Sequence, residues 1–85
     1  MHTVELLEAA RLVAANLGYK IREEHLDGGG GACTLNGQKW IFLDIAASTS
    51  EQLEQVAGAL VGDTAIYSAD LVPELANYLG IRKSA

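Results

Sequence analysis

Residues 32–45 read ACTLNGQKWIFLDI, and this stretch decides the fold. Asn36-Gly37 is a strong β-hairpin signal, because both residues tolerate the positive φ angles of a type I′ turn. The turn predicts that residues 32–35 and 38–45 form two antiparallel strands. Apolar residues in the run 40–43 point to both sides of the second strand, so we expect both of its faces to be covered.

The segments before this hairpin are predicted to be a helix, a strand and a loop. Between residues 3 and 17, apolar residues recur at intervals of three and four, which is typical of an amphipathic helix. Thr3 is its predicted N-cap, and Gly18 supplies the left-handed position that ends it. Residues 19–26 alternate in polarity and predict a half-exposed strand. The glycines of residues 28–31 then predict a loop, because ordering them has a large entropic cost.

The segments after the hairpin are predicted to be mostly helical. Capping-box spacing occurs twice, at Ser48 with Glu51 and at Thr49 with Gln52, and either pair predicts the start of a helix that ends at Gly62. An irregular connection through residues 66 and 67 follows. A proline in a first helical turn then predicts a short helix at Pro73–Leu79, closed by Gly80. Residues 82–85 are predicted to be a frayed end.

The resulting element order, α-β-β-β-α-α, predicts an α+β fold. Its expected form is a two-layer sandwich in which helices pack on one face of a three-stranded antiparallel meander. A sheet clamped between helices is the alternative. The 85 residues are enough for a single domain, 1–85, with a thin core.

Composition disfavours several classes of protein. The net charge of −5 repels phosphate backbones, so we expect no nucleic-acid partner. Charged and polar residues interrupt every apolar stretch before it reaches membrane-spanning length, which predicts no membrane association. The single cysteine excludes an intramolecular disulfide, and the N-terminal segment lacks the pattern of a signal peptide. A cytoplasmic location is therefore expected.

Possible chemistry is concentrated around the hairpin. If the first two strands are neighbours, His25, Cys33 and Trp40 form one cross-strand row, in which a cysteine beside a histidine would be an activated thiol or a pair of metal ligands. The alternative is that Cys33 is simply a small buried residue beneath Trp40. Zinc needs three or four ligands, so no metal site is predicted. Asp44, at the end of the apolar strand, is a candidate acid without an identified partner.

The four glycines do not have the context of a phosphate-binding loop, because a strand rather than a helix follows them. They remain candidates for a small-molecule site. No catalytic residue and no cofactor is predicted. The candidate ligand-binding residues are Gly28, Gly29, Gly30, Gly31, His25, Cys33 and Asp44.

The hairpin and the Glu/Gln-rich helix after it, from Gly31 to Gly62, resemble the region that leads into the zinc helix of ImmA/IrrE-type metallopeptidase domains. At the position of that family's His-Glu-x-x-His motif this chain has residues 58–62, GALVG, without a ligand or general base. The resemblance therefore implies a regulatory domain without peptidase chemistry. Small uncharacterised bacterial domains also resemble this chain, in the glycine-rich loop and in the residues Cys33, Gly37, Trp40, Phe42 and Asp44.

The leading hypothesis is a non-enzymatic protein-interaction module that self-associates as a homodimer or binds another protein. It depends on the apolar third strand, because two modest helices cannot cover both sides of it. A small-molecule-binding domain or enzyme that uses the glycine loop is the alternative. The predicted interface residues are Trp40, Phe42, Leu35, Ile21 and Tyr19.

Overall fold

The computed structural model describes residues 1–81, so the predicted frayed end at 82–85 lies outside the described residues. In chain order the elements are α1 (Thr3–Asn16), β1 (Tyr19–Glu24), β2 (Gly31–Leu35), β3 (Gln38–Asp44), α2 (Thr49–Val61), a 3₁₀ helix (Thr64–Ser68) and α3 (Pro73–Leu79). The α+β class is confirmed. None of the helices within residues 1–81 combines the length and apolar character that a bilayer crossing requires.

The sheet is mixed, and the predicted antiparallel meander is wrong for its first strand. The strand order is β1-β3-β2, so β3 lies in the centre. β2 runs antiparallel to β3, whereas β1 runs parallel to it. The physical reason is that the most apolar strand gains most from the central position, where each of its edges is paired with another strand.

The hairpin formed by β2 and β3 has the predicted register. Leu35 lies opposite Gln38, and Cys33 lies opposite Trp40. Asn36 and Gly37 both have positive φ angles, 50° and 79°, as a type I′ turn requires. This local part of the fold is therefore determined by the two turn residues.

The helices form one layer on one face of the sheet. Ile41 and Leu43 of β3 are completely buried in a core cluster with residues from α1, α2 and α3. The smallest extent of the molecule, 15 Å, fits two layers rather than three. Within the chain the helices cover only one face of β3, because Trp40 and Phe42 on its other side stay partly exposed.

Several helix boundaries follow from local hydrogen bonds. The N-cap of α1 is His2 rather than Thr3, and its backbone N–H donates to Oε1 of Glu5 at 3.2 Å. Of the two predicted capping boxes of α2, the structure contains the one at Ser48, since Glu51 N–H donates to Oγ of Ser48 at 3.1 Å. The connection predicted to be irregular instead contains the 3₁₀ helix at Thr64–Ser68. Gly80, with φ of 73°, ends α3 as predicted.

Candidate functional site

The most distinctive surface of the protein is the face of the sheet opposite the helices. Side chains alternate across a strand, so the residues beside Trp40 and Phe42 share the side that faces away from Ile41 and Leu43. In the observed register, β1 and β2 contribute the neighbours of these two aromatic residues. We call this surface the open face; its residues are Lys20, Arg22, Glu24, Cys33, Leu35, Gln38, Trp40 and Phe42.

An aromatic pair forms the centre of the open face. The rings of Trp40 and Phe42 are stacked, with centroids 6.0 Å apart and planes 18° from parallel. The Nζ of Lys20 lies 5.7 Å from the centroid of the Trp40 ring, within range of a cation–π interaction. Leu35, at one end of the face, is 52% exposed. The face thus presents apolar area to solvent, beside Lys20 and the ion pair of Arg22 with Glu24.

Three of the four basic residues within residues 1–81 form ion pairs, and these pairs lie on both sides of the sheet. On the helix side, Arg11 forms an ion pair with Glu23, and Nζ of Lys39 lies 2.8 Å from Asp63. On the open face, Nε of Arg22 pairs with Glu24 at 2.7 Å, in an exposed position where such pairs contribute little. Lys20 forms no ion pair with any residue in the range 1–81.

A short segment, residues 25–30, connects β1 to β2 across the C-terminal end of β3. We call it the crossing loop. Asp44, the last residue of β3, lies under it and is only 6% exposed. Oδ2 of Asp44 accepts the Gly28 N–H at 3.1 Å, and Oδ1 accepts the Ala46 N–H at 3.0 Å. The carboxylate therefore anchors the crossing loop to the strand that it passes over.

These hydrogen bonds also affect the pKa of the Asp44 carboxyl group. The backbone N–H groups of Ala46 and Gly28 lower the pKa of Asp44 below its ordinary value, against the opposing effect of burial. An aspartate that stays ionised and has both oxygens occupied is poorly suited to exchange protons with a substrate. The arrangement assigns Asp44 a structural role in holding the loop.

The run of four glycines has a physical explanation in the crossing loop. Gly28 and Gly31 have φ angles of 83° and 134°, which side-chain-bearing residues rarely adopt. A Cβ on Gly29 would lie 3.2 Å from a backbone carbonyl oxygen, and one on Gly30 would lie 2.7 Å from Nε2 of Gln55. Backbone conformation thus accounts for Gly28 and Gly31, and a nearby carbonyl leaves little room at Gly29, whereas the atom close to Gly30 is the end of a flexible side chain that can move aside.

A shallow pocket of about 360 Å³ adjoins the open face where the crossing loop meets Phe42. Its walls combine two apolar side chains with glycine backbone, which lets a bound group approach the main chain closely. Three of the four predicted glycines line it, while the N–H of Gly28 is directed to Asp44 instead. The pocket residues are Leu26, Gly29, Gly30, Gly31, Ala32 and Phe42.

The structure does not bring His25 to Cys33, because β3 separates the strands that were expected to be neighbours. Their strands are two spacings apart, about 10 Å. The predicted row is therefore correct for Cys33 and Trp40 and wrong for His25, which lies exposed beyond the end of β1. Within residues 1–81, no three histidine, cysteine or acidic side chains are grouped closely enough to hold one metal ion.

Two of the predicted interface residues lie away from the open face. Tyr19 and Ile21 are opposite Lys39 and Ile41 in the parallel pairing, so their side chains point toward the helices. Both are partly buried and pack against the core cluster. Trp40, Phe42 and Leu35, in contrast, share the open face.

A polar cluster that the sequence did not reveal lies on the helix side of the sheet. Tyr19 Oη donates to Oδ2 of Asp63 at 2.9 Å, and Lys39 Nζ, which lies 4.5 Å from the centroid of the tyrosine ring, donates to the same oxygen. The Lys39 hydrogen bond is the main reason that the pKa of Asp63 falls to about 2, while burial and then Asp63 raise the pKa of Tyr19. Both shifts make proton transfer near neutral pH harder. The cluster ties the start of the 3₁₀ helix to the sheet.

The signal for this cluster is absent from the sequence because it depends on long-range pairing. Tyr19 and Lys39 become neighbours only through the parallel pairing of β1 with β3, and Asp63 reaches them from the far end of α2.

Comparisons of the chain with known protein families, with curated proteins and with solved structures gave no match.

Proposed function

We propose that this protein is a non-enzymatic interaction module that binds a protein partner on the open face. The observation that carries the proposal is the stacked pair of Trp40 and Phe42 on the central strand, on the side opposite the helices. Apolar patches on small proteins commonly mark interaction sites, and aromatic residues are enriched at the centres of interfaces. An uncovered aromatic pair in the middle of a sheet has both properties.

The chemistry around the open face also favours binding over catalysis. The thiol of Cys33 has no histidine on a neighbouring strand, and the carboxylate of Asp44 is occupied by backbone N–H groups. The free thiol further supports a place in the reducing cytoplasm.

A second copy of the chain is one possible partner, and the size of the face limits how tightly it would bind. The three strands together have 18 residues, which at about 3.3 Å per residue and about 4.8 Å between strands span roughly 285 Å² in projection. Stable interfaces bury about 800 Å² on each partner. A homodimer formed through the open face alone is therefore expected to be weak and transient.

Photo-crosslinking from matched positions tests the proposal. Leu35 lies on the open face and Leu12 on α1, and both are well exposed, at 52% and 65%. A photoreactive phenylalanine analogue at position 35 should give a discrete adduct in cells, and Trp40→Glu in the same chain should abolish it. The analogue at position 12 should give no such adduct.

The mass of the adduct identifies the kind of partner. An adduct of twice the mass of the 9.0 kDa chain indicates a second copy, and any other discrete mass indicates a different protein. Equal crosslinking from positions 12 and 35, or adducts that survive Trp40→Glu, would refute the open face as the binding surface.

The pocket beside the crossing loop supports a second candidate, a small-molecule-binding domain. Leu26 and Phe42 give it apolar walls, and its volume of about 360 Å³ lies at the lower end of the range for ligand sites. Thermal-shift screening of a fragment collection against the wild type and against Phe42→Ala, which removes one of the apolar walls of the pocket, tests this role. Fragments that stabilise only the wild type would support it, and stabilisation of both proteins would exclude the pocket.

A further inference from the structure

We infer that the partner is a second copy of the chain, which joins along the outer edge of β2 and places its Leu35 in the pocket beside Phe42. This inference rests on the proposed function, because it names the partner that reaches the open face. Three observations carry it: an uncharged outer edge of the sheet, a strand that can pair with itself over its whole length, and an exposed leucine that this pairing brings to the pocket.

The two outer edges of the sheet differ in how well they are protected from pairing. β1 and β2 are the edge strands of the sheet within residues 1–81. β1 carries four charged residues, which commonly keep an edge from pairing, whereas β2 carries no charge and no proline. Ala32 and Thr34 of β2 are both exposed. One edge is therefore protected, and the other is accessible to a further strand.

The hairpin determines which backbone groups of β2 point outward. Leu35 and Gln38 close a two-residue turn, so they exchange backbone hydrogen bonds with each other. Because this pattern alternates along an antiparallel pair, Ala32 and Thr34 direct their N–H and C=O groups to the outer edge instead. These four groups can pair with an added strand.

One register pairs all five residues of β2 with the same strand of a second copy. It is antiparallel and centred on Cys33, so Ala32 lies opposite Thr34 of the other copy, and all four outward groups of each copy form hydrogen bonds. Gly31 then lies opposite Leu35. Opposite residues share one face, so both copies keep their helices on the same side. The assembly closes at two copies, because its outer edges are the two charged β1 strands.

Pairing in this register brings an exposed leucine to the pocket. Leu35 is 52% exposed in the single chain. In the second copy it lies one strand spacing, about 5 Å, from Gly31, on the side of the open face. Gly31 has no side chain, so Leu35 can reach over it toward the ring of Phe42 on the next strand. Each copy thus supplies the side chain that completes the pocket of the other.

The helix layer leaves room for the second copy. α2 contacts β2 and β3 alike, so its axis lies over the space between these two strands. Pairing of the two β2 strands then places the two α2 axes about 10 Å apart, which is the usual distance between packed helices. Contact between the helices can therefore accompany the pairing of the strands.

Net charge opposes the pairing, but it does not act at the centre of the contact. Each copy has a net charge of −5, and none of the charged residues belongs to β2. Repulsion between exposed charges more than about 8 Å apart is largely screened at physiological ionic strength. The repulsion should therefore weaken the dimer mainly at low salt, and added salt should strengthen it.

Analytical ultracentrifugation measures the association. The chain should sediment at its monomer mass of 9.0 kDa at low concentration and approach twice that mass toward about 1 mM, because the contact is smaller than that of a stable dimer. Leu35→Ala should weaken the association at least about tenfold. Leu12→Ala makes the same change at an exposed position of α1 and should leave the association within about twofold of the wild type. Circular dichroism shows whether both variants fold.

Disulfide trapping with diamide tests the register. The two Cys33 residues form a non-hydrogen-bonded pair with Cα atoms about 4.5 Å apart, within the range of a disulfide. Thr34→Cys with Cys33→Ser moves the thiol to the other side of the strand, where the Cα atoms lie about 8–9 Å apart, too far for a disulfide. Position 34 is exposed and position 33 only partly so, so chance collisions favour 34 and the proposed pairing favours 33. The wild type should be trapped at least about tenfold faster than the variant.

Four results would overturn the inference. They are a monomer at every concentration up to about 1 mM, equal weakening by Leu35→Ala and Leu12→Ala, faster trapping at position 34 than at position 33, and a dimer that added salt weakens. The last result would show that attraction between charges joins the copies.

The second copy and the proposed function can fail separately. Trp40→Glu should weaken the dimer, since Trp40 stacks on the ring that Leu35 meets. If the chain stays monomeric while position 35 still gives a Trp40-dependent adduct of another mass, the open face binds a different protein and only the second copy is wrong. If position 35 gives no adduct either, the proposed function fails as well.

Discussion

Two adjacent residues of β3 allow a quantitative test of which sheet face is covered. Ile41 is completely buried against the helices, whereas Phe42 is partly exposed on the open face. Ile41→Ala removes three carbons, which costs about 2.4 kcal/mol in transfer free energy at about 0.8 kcal/mol per carbon. The enclosed cavity raises the expected loss in the free energy of unfolding to about 3–4 kcal/mol.

The corresponding change on the open face should cost much less. Phe42→Ala removes a ring that already contacts solvent and leaves no enclosed cavity, so we expect a loss of about 1 kcal/mol. The free energy of unfolding of a domain of this size is about 4–13 kcal/mol, so Ile41→Ala removes a large share of it. Because both changes replace a good strand former with alanine in neighbouring positions of one strand, loss of strand propensity largely cancels.

Urea unfolding, followed by circular dichroism at several protein concentrations, measures the difference. With a urea m-value of about 1 kcal/mol/M, the midpoint should fall by about 3 M for Ile41→Ala and by about 1 M for Phe42→Ala. Equal losses would refute the assignment of faces in β3. A Phe42→Ala loss that grows with protein concentration would show instead that a second copy covers the open face.

Three further predictions concern hydrogen bonds of single side chains. Asp44→Asn should accelerate hydrogen exchange at Gly28, because an amide has one accepting oxygen for two N–H donors, and unchanged exchange would contradict the anchoring role. Asp44 and Asp63 have lowered pKa values, so their ionised forms stabilise the fold fully above about pH 4, and this stabilisation is lost as the pH falls toward 2. The melting temperature should therefore fall over this interval, and it should fall by less in Asp63→Asn. Ser48→Ala should cost about 1 kcal/mol in urea unfolding, and Ser50→Ala, within the helix, much less; similar losses would exclude capping as the cause.

The sequence was sufficient for those parts of the fold that depend on neighbouring residues. The turn at Asn36-Gly37 determined the hairpin and its register, including the pairing of Cys33 with Trp40. Ser48 and Gly80 marked helix ends because their side chain or backbone conformation acts within one helical turn. In each case the hydrogen bonds that form the element connect residues close together in the chain.

The errors arose where pairing is long-range. Nothing near residues 19–24 distinguishes an antiparallel neighbour of β2 from a parallel neighbour of β3, so His25 was placed in the wrong row. The burial of Asp44 and the positive φ angles of Gly28 and Gly31 have the same origin, because both belong to a loop that crosses a strand end. The sequence also does not indicate which face of the sheet the helices cover, so it does not separate Tyr19 and Ile21, on the helix side, from Trp40 and Phe42.

The parallel placement of β1 also bears on how the chain avoids aggregation while it folds. The β2–β3 hairpin is local and can close within microseconds, whereas β1 can join only after the crossing loop has been laid over the hairpin. Until then β3 has a free edge along its most apolar residues, which is a template for pairing with another chain. Once docked, β1 replaces that edge with one bearing Lys20, Arg22, Glu23 and Glu24. The charged edge strand thus protects the apolar central strand from pairing with another chain. We expect the protein to be most prone to aggregation before β1 has docked.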